Sequence, residues 1–341
     1  MATRETVAVA SADNGGPLLG DYLDEWLARR AGRLRPSSFK SYRQLIGCYL
    51  KPHLGDVPLH RLDRRRLDNL YGFLIMQGGQ GGKSLAVRTV KYVHTVLGRA
   101  LEDAVLDGLL DRNPARLAHP PEHHPEVTEL PDDTTVWTTQ DAARFLRFVD
   151  DHHWRAVWHL AVGTGARRGE LLGLRWRDVD LDAATVHIQR ALSVVDGVPR
   201  LLATKTSNRR VIAIGDSVVA ALCRQWEEQE ERRRAATEWA NRWGLVFTDE
   251  VGGPIDPMMV TMEFRDLVRQ APVPVVRLHD VRHFHATALL AAGVAPKVVS
   301  QRLGHSTIAM TLDVYSHVLP SMDGEAAAQL DAALEPRHDV P

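Results

Sequence analysis

Leu303-Gly304-His305-Ser306-Thr307-Ile308-Ala309-Met310-Thr311-Leu312-Asp313-Val314-Tyr315 ends on a solitary tyrosine: no other follows Tyr92 in a chain of 341 residues. A phenol can attack phosphorus and form a covalent phosphotyrosine, provided that cations hold the phosphate and a neighbouring group manages the phenolic proton. Upstream, His279-Asp280-Val281-Arg282 sets an imidazole and a guanidinium at i and i+3, side by side on a helix. Arg282 could grip a phosphate there with two donors while His279 handles a proton. His279 and His283 also stand at i and i+4, as on a zinc helix. The glutamate base of that motif is absent and no third ligand is placed, so no metal is expected.

Working further back, Thr164-Gly165-Ala166-Arg167-Arg168-Gly169-Glu170 is punctuated by glycine but lacks the Gly-Lys-Ser/Thr ending of a nucleotide-binding loop. It offers instead an arginine at a helix entry three residues before Glu170, a spacing at which the carboxylate can orient the Arg167 guanidinium. Lys205, in Ala203-Thr204-Lys205-Thr206-Ser207-Asn208, falls at an expected β-hairpin, where a flexible ammonium can reach a leaving oxygen. Taken singly, Arg167 reads equally as a surface arginine and Lys205 as an exposed turn lysine.

Length suits two domains rather than one core. Cys48 and Cys223 lie far apart with no Cys-x-x-Cys pair, and no apolar run is long enough to cross a bilayer, so a cytoplasmic location is expected, near the nucleoid, and no membrane partner. The net charge of −1 conceals an asymmetry. Up to Ala118 there are 18 Lys and Arg against 12 Asp and Glu, or +6; beyond it, 24 against 31, or −7.

The periodicity predicts a chain that is mainly α with a small antiparallel β-sheet. Residues 1–17 lack an apolar period and are expected to be a mobile leader, too short for an additional arm-site-binding domain. Residues 18–118 carry four helical patterns, and the longest places Arg88, Lys91, Thr95 and Arg99 within an arc of roughly 80°. With Arg33, Arg35, Lys40 and Arg43 in the same segment, that face is expected to contact nucleic-acid phosphates. Residues 119–133 mix Pro with acid and read as a linker. Its His119, His123 and His124 have no cysteine partner and are assigned to solvent rather than to a metal. Residues 134–320 then form a second domain, with strands over 185–191, 199–203 and 209–214. A final helix over 321–334, within a tail reaching 341, could pack within the chain or be exchanged between subunits.

Taken in order, these motifs resemble the tyrosine recombinase family of the phage-integrase type, over nearly all of residues 18–335. The resemblance carries Arg167, Lys205, His279, Arg282, His305 and the nucleophile Tyr315 over as catalytic positions, with Glu170 in support. It implies a helical core-binding domain of the SAM-like type and a catalytic domain that close around double-stranded DNA. It further implies tetramers on paired sites, an excisionase or DNA-bending protein as a possible accessory, and strand exchange with no cofactor, metal or ATP. Integration and excision of a phage or other mobile element is the favoured role. A Xer-like dimer resolvase and a type IB topoisomerase-like relaxase share the same residues. A DNA-binding regulator would keep the fold but would have less need of Arg167, Arg282 and Tyr315 together.

Overall fold

A computed structural model of the chain describes residues 16–122, 136–204 and 209–315, the last three as backbone only. The expected leader (but for its last two residues), most of the linker, Lys205 and the 321–334 helix lie outside the described residues. The chain divides into two compact units, Met1–Asp132 and Asp133–Pro341. Among the described residues it is mainly helical with small antiparallel sheets, and no helix is long and apolar enough to cross a membrane.

The first unit contains α1 (Leu19–Arg29), α2 (Pro36–Leu45), α3 (Lys51–Leu54), α4 (Arg64–Gln77) and α5 (Val87–Leu106). Neither Ser37 nor Ser38 caps α2. Pro36 occupies its first turn and Arg35 is the extended N-cap residue, because proline disfavours a helical conformation in the residue before it. Between α2 and α3 the helix widens into a π turn over Ile46–Leu50. Pro52, in the first turn of α3, has no N–H to give the carbonyl four residues back, and the backbone loosens around the proline ring. Trp26, Tyr71, Leu97 and their neighbours fill the core. The buried Tyr22 hydroxyl donates to the Ala100 carbonyl at 2.8 Å, and the Trp26 indole donates to Asp103 at 2.6 Å.

The second unit opens on α6 (Thr139–Phe148), where Thr138 and Asp141 form a reciprocal capping box. α7 (Arg155–Thr164) and the short α8 (Arg168–Leu172) follow, then strands β1 (Val179–Asp180), β2 (Thr185–Ile188), β3 (Arg190–Val195), β4 (Val198–Ala203) and β5 (Arg210–Ala213). The single expected sheet is two: β1-β2-β5, and a separate β3-β4 hairpin turned by Asp196-Gly197. Strands β4 and β5 consequently belong to different sheets, since β5 pairs back to β2 from Thr185↔Ala213 to Ile188↔Arg210. Helices α9 (Asp216–Ala235), α10 (Pro257–Gln270), α11 (Leu278–Ala291), α12 (Pro296–Leu303) and α13 (Ala309–Tyr315) complete the unit. Trp158, Phe145 and Phe264 lie at its centre, with ring centroids 5.4 to 6.5 Å apart.

Candidate active site

Two helix ends and one strand bring the cations together. α7 closes on Gly165 at φ +61, and the chain turns at once into Arg167, which stands at the N-cap of α8. α12 closes on Gly304 at φ +65, directly before His305. Both positions demand a left-handed conformation in a crowded place: a Cβ on Gly165 would lie 2.7 Å from Leu303, and one on Gly304 would lie 2.9 Å from Arg210.

Arg282, one turn into α11, is buried and spans the gap between those two ends. Its Nη1 donates to the Gly165 carbonyl and its Nη2 to the Leu303 carbonyl, both at 2.7 Å. Arg167, about one-third exposed, donates from Nη2 to the neighbouring Gly304 carbonyl at 3.3 Å. The two guanidinium groups therefore rest on adjacent carbonyls of one turn, and each keeps further N–H donors of its five. Burial, and then the positive charge of Arg167, push Arg282 down to about 9, so it remains a cation at neutral pH. An anion placed here would relieve that electrostatic cost.

Glu170, 4 % exposed, sets the direction of Arg167. Its carboxylate accepts from the Arg167 backbone N–H at 3.0 Å and from Nη1 at 3.1 Å. It also pairs with Arg210 of β5 at 2.7 Å. Burial opposes the charge on Glu170, but the hydrogen bond and charge of Arg210, followed by those of Arg167, hold its carboxyl below the usual range.

His305 follows the same turn, and its Nδ1 lies 2.8 Å from the fully buried Thr311 hydroxyl. Desolvation, then Arg282 and Arg167, push its imidazole down to about 4. His279 sits exposed at the start of α11 with its ring edge-on to His283, centroids 5.2 Å apart. Partial desolvation, then His283 and the Arg282 charge, lower it as well. Both shifts favour the neutral imidazole. Among the described residues no cluster of three or more His, Cys, Asp or Glu is arranged around a metal. Lys205 and the Tyr315 side chain lie outside the described residues; the backbone of Tyr315 belongs to α13.

Three supporting residues had no signal in the sequence: Arg210, His285 and Arg302. His285 Nε2 accepts from Arg302 Nε at 3.1 Å, which leaves Nδ1 to donate to the Val162 carbonyl at 2.9 Å. Arg302 also donates to the Gly163 carbonyl at 2.9 Å, so the pair buttresses the end of α7 from beneath. Desolvation pushes buried His285 down to about 4, against an ordinary value near 6.5. The unfolded chain thus binds this proton more readily, and stability is lost as pH falls from about 6.5 toward 4, by about 3 kcal/mol for the whole interval. Urea titrations at pH 7 and pH 4 should show that difference in the wild type and a smaller one, by roughly that amount, in His285→Gln. Equal pH sensitivity in the two proteins would remove His285 as the cause.

In the first unit, Arg88, Lys91, Thr95 and Arg99 of α5 are exposed, as are Arg33, Arg35, Lys40 and Arg43. Thr95 donates its hydroxyl to the Lys91 carbonyl, and Arg99 Nη1 donates to the Tyr42 hydroxyl of α2 at 2.6 Å.

The sequence model of the phage integrase family matches residues 136–322, and that of the phage integrase N-terminal SAM-like domain matches residues 18–75. The chain belongs to the phage integrase family. It is 30 % identical to a tyrosine recombinase XerC-like protein of Caldanaerobacter subterraneus subsp. tengcongensis, across 92 % of this chain and 82 % of that one. It is 23 % identical to the ICEBs1 integrase of Bacillus subtilis, across 88 % and 79 %. The fold is shared with the Tn1549 transposon integrase solved in complex with a circular intermediate DNA, at a TM-score of 0.73 and 22 % identity, covering 93 % of this chain and all of that one. It is shared also with the lambda integrase tetramer bound to a Holliday junction, at 0.62 and 16 %, covering 89 % and 78 %. Membership of this family makes the chain a DNA-binding protein of site-specific recombination, of the tyrosine recombinase type.

Proposed function

We propose that this integrase-family chain cuts and rejoins DNA through a covalent 3′-phosphotyrosine at Tyr315, and that it integrates and excises a mobile element. The observation that carries the reading is the pair of guanidinium groups, Arg167 and Arg282, seated on the adjacent Gly304 and Leu303 carbonyls beside His305. Such a pair can neutralise the two non-bridging oxygens of a phosphodiester, where charge builds in the five-coordinate transition state. His305 donates to the same phosphate, which requires its Nε2 to carry the proton while Nδ1 accepts from Thr311.

The Tyr315 oxygen attacks phosphorus, the bond from phosphorus to the 5′ oxygen breaks, and the phenolic proton passes to His279. Lys205 protonates the departing 5′ oxygen. The phosphotyrosine retains the energy of the broken diester. A 5′-hydroxyl from a partner duplex then attacks it, releasing the phenol without ATP. None of these steps needs a metal. The exposed cations of the first unit, Arg33, Arg35, Lys40, Arg43, Arg88, Lys91 and Arg99, with Thr95 between them, contact DNA phosphates. Four chains act on paired sites, with the 321–341 segment available for exchange, and an excisionase or DNA-bending protein sets direction. Residues 18–118 form the core-binding domain and 134–320 the catalytic one, joined by 119–133.

Co-expression with a candidate element, followed by sequencing of the new junctions, tests the role. Paired junctions within the element's ends are expected, whereas resolution of plasmid or chromosome dimers alone would favour the Xer-like reading that the XerC-like relative raises. The recovered site then serves in vitro. An SDS-stable protein–DNA adduct should form at an undiminished rate in excess EDTA, and strict dependence on added metal would exclude this mechanism.

A further inference from the structure

Arg210 brings a third guanidinium to the same pocket wall, but all three of its nitrogens are committed to the protein. Nε donates to the Arg302 carbonyl at 2.7 Å, Nη2 to Glu170 Oε2 at 2.7 Å, and Nη1 to Oε1 at 3.4 Å. The ion pair is almost dry, with the Arg210 and Glu170 side chains 8 % and 4 % exposed. On its other side Glu170 contacts Arg167, the outer guanidinium of the pocket, through both the backbone N–H and the side chain. One buried carboxylate is therefore shared between two arginines, and Arg282 is close enough to feel all three charges.

We propose that Arg210 is a positioning residue that keeps Glu170 from neutralising Arg167. This rests on the phosphate-clamp reading of Arg167 and Arg282. With Arg210 in place, three guanidinium groups and one carboxylate leave two net positive charges for the phosphate. Without it, a buried anion is left with Arg167 as its only direct cationic partner. The carboxylate then draws that guanidinium inward and cancels its charge, leaving one net positive charge at the clamp. Removing the carboxylate as well returns the net charge to two. A glutamine at position 170 can still accept from the Arg167 backbone N–H and preserve the start of α8. A bolt that merely held β5 against α8 and α12 would behave differently, because the double replacement removes that bolt just as completely as the single one.

The test is single-turnover cleavage of a nicked duplex bearing the site recovered from the sequenced junctions, with DNA affinity and thermal unfolding recorded for each variant. Arg210→Met should cleave at least about 30-fold more slowly than wild type with its Kd within about threefold, and Glu170→Gln/Arg210→Met should regain at least about fivefold over Arg210→Met. Arg210→Lys keeps the charge and should stay within about fivefold of wild type; it carries the test if Arg210→Met does not fold. A wild-type rate in Arg210→Met overturns the inference, as does a double variant that folds yet cleaves no faster than Arg210→Met. So does Arg210→Lys losing as much as Arg210→Met. A wild-type protein that forms no adduct on the recovered site overturns instead the phosphotyrosine reading beneath it.

Discussion

Tyr315→Phe is expected to bind its site DNA with unchanged affinity and to form no SDS-stable adduct, a loss of at least about 10⁴-fold in cleavage rate. The replacement deletes one oxygen and leaves the ring. Three of the five other tyrosines are already engaged. Tyr22, Tyr42 and Tyr71 are buried in the first unit, and their hydroxyls are engaged with the Ala100 carbonyl, Arg99 and His94. Burial pushes Tyr22 up to about 12 and raises Tyr71 still further from its ordinary value, making both poorer nucleophiles than an ordinary phenol. Even an unperturbed phenol, with a pKa near 10, costs about 4 kcal/mol to ionise at neutral pH, a cost that proton acceptance by His279 and the cationic pocket, as proposed, would offset. Incubation with the nicked site and denaturing electrophoresis provide the measurement. Adduct at undiminished yield would remove Tyr315 as the nucleophile.

The second large effect is at the clamp. Arg282→Ala should slow cleavage by at least about a hundredfold, and so should Arg167→Ala, with most DNA affinity retained in each. Their stabilities should diverge. Arg282 is 5 % exposed and satisfies the Gly165 and Leu303 carbonyls, so its loss orphans two backbone acceptors at about 1–3 kcal/mol each. Arg167 is over one-third exposed and donates to the Gly304 carbonyl at only 3.3 Å, so its removal should lower the melting temperature far less. Cleavage lost equally with unequal destabilisation identifies a shared chemical role. A near-normal cleavage rate in a folded Arg167→Ala would sink the clamp assignment.

The helices and the local motifs were legible because their signals are short-range. The Arg167 to Glu170 and His279 to Arg282 spacings each declare themselves within four residues. What escaped depends on distant partners. Strand β5 pairs with β2 rather than with its neighbour β4, so the single expected sheet is divided in two. Pairing register between non-adjacent strands is set by burial, which a period-two pattern does not specify. Arg210 looked like any other basic residue after Arg209, because its role exists only through Glu170, forty residues earlier. His285 and Arg302 stayed silent for the same reason.

The two carbonyls gripped by Arg282 belong to residues 117 and 21 positions away from it along the chain. Such a grip is paid for late, after long loops have closed, and it cannot be assembled from a partial polypeptide. A nascent chain that has emerged through α11 but not yet the Leu303-Gly304 turn holds its arginine without one of the two backstops.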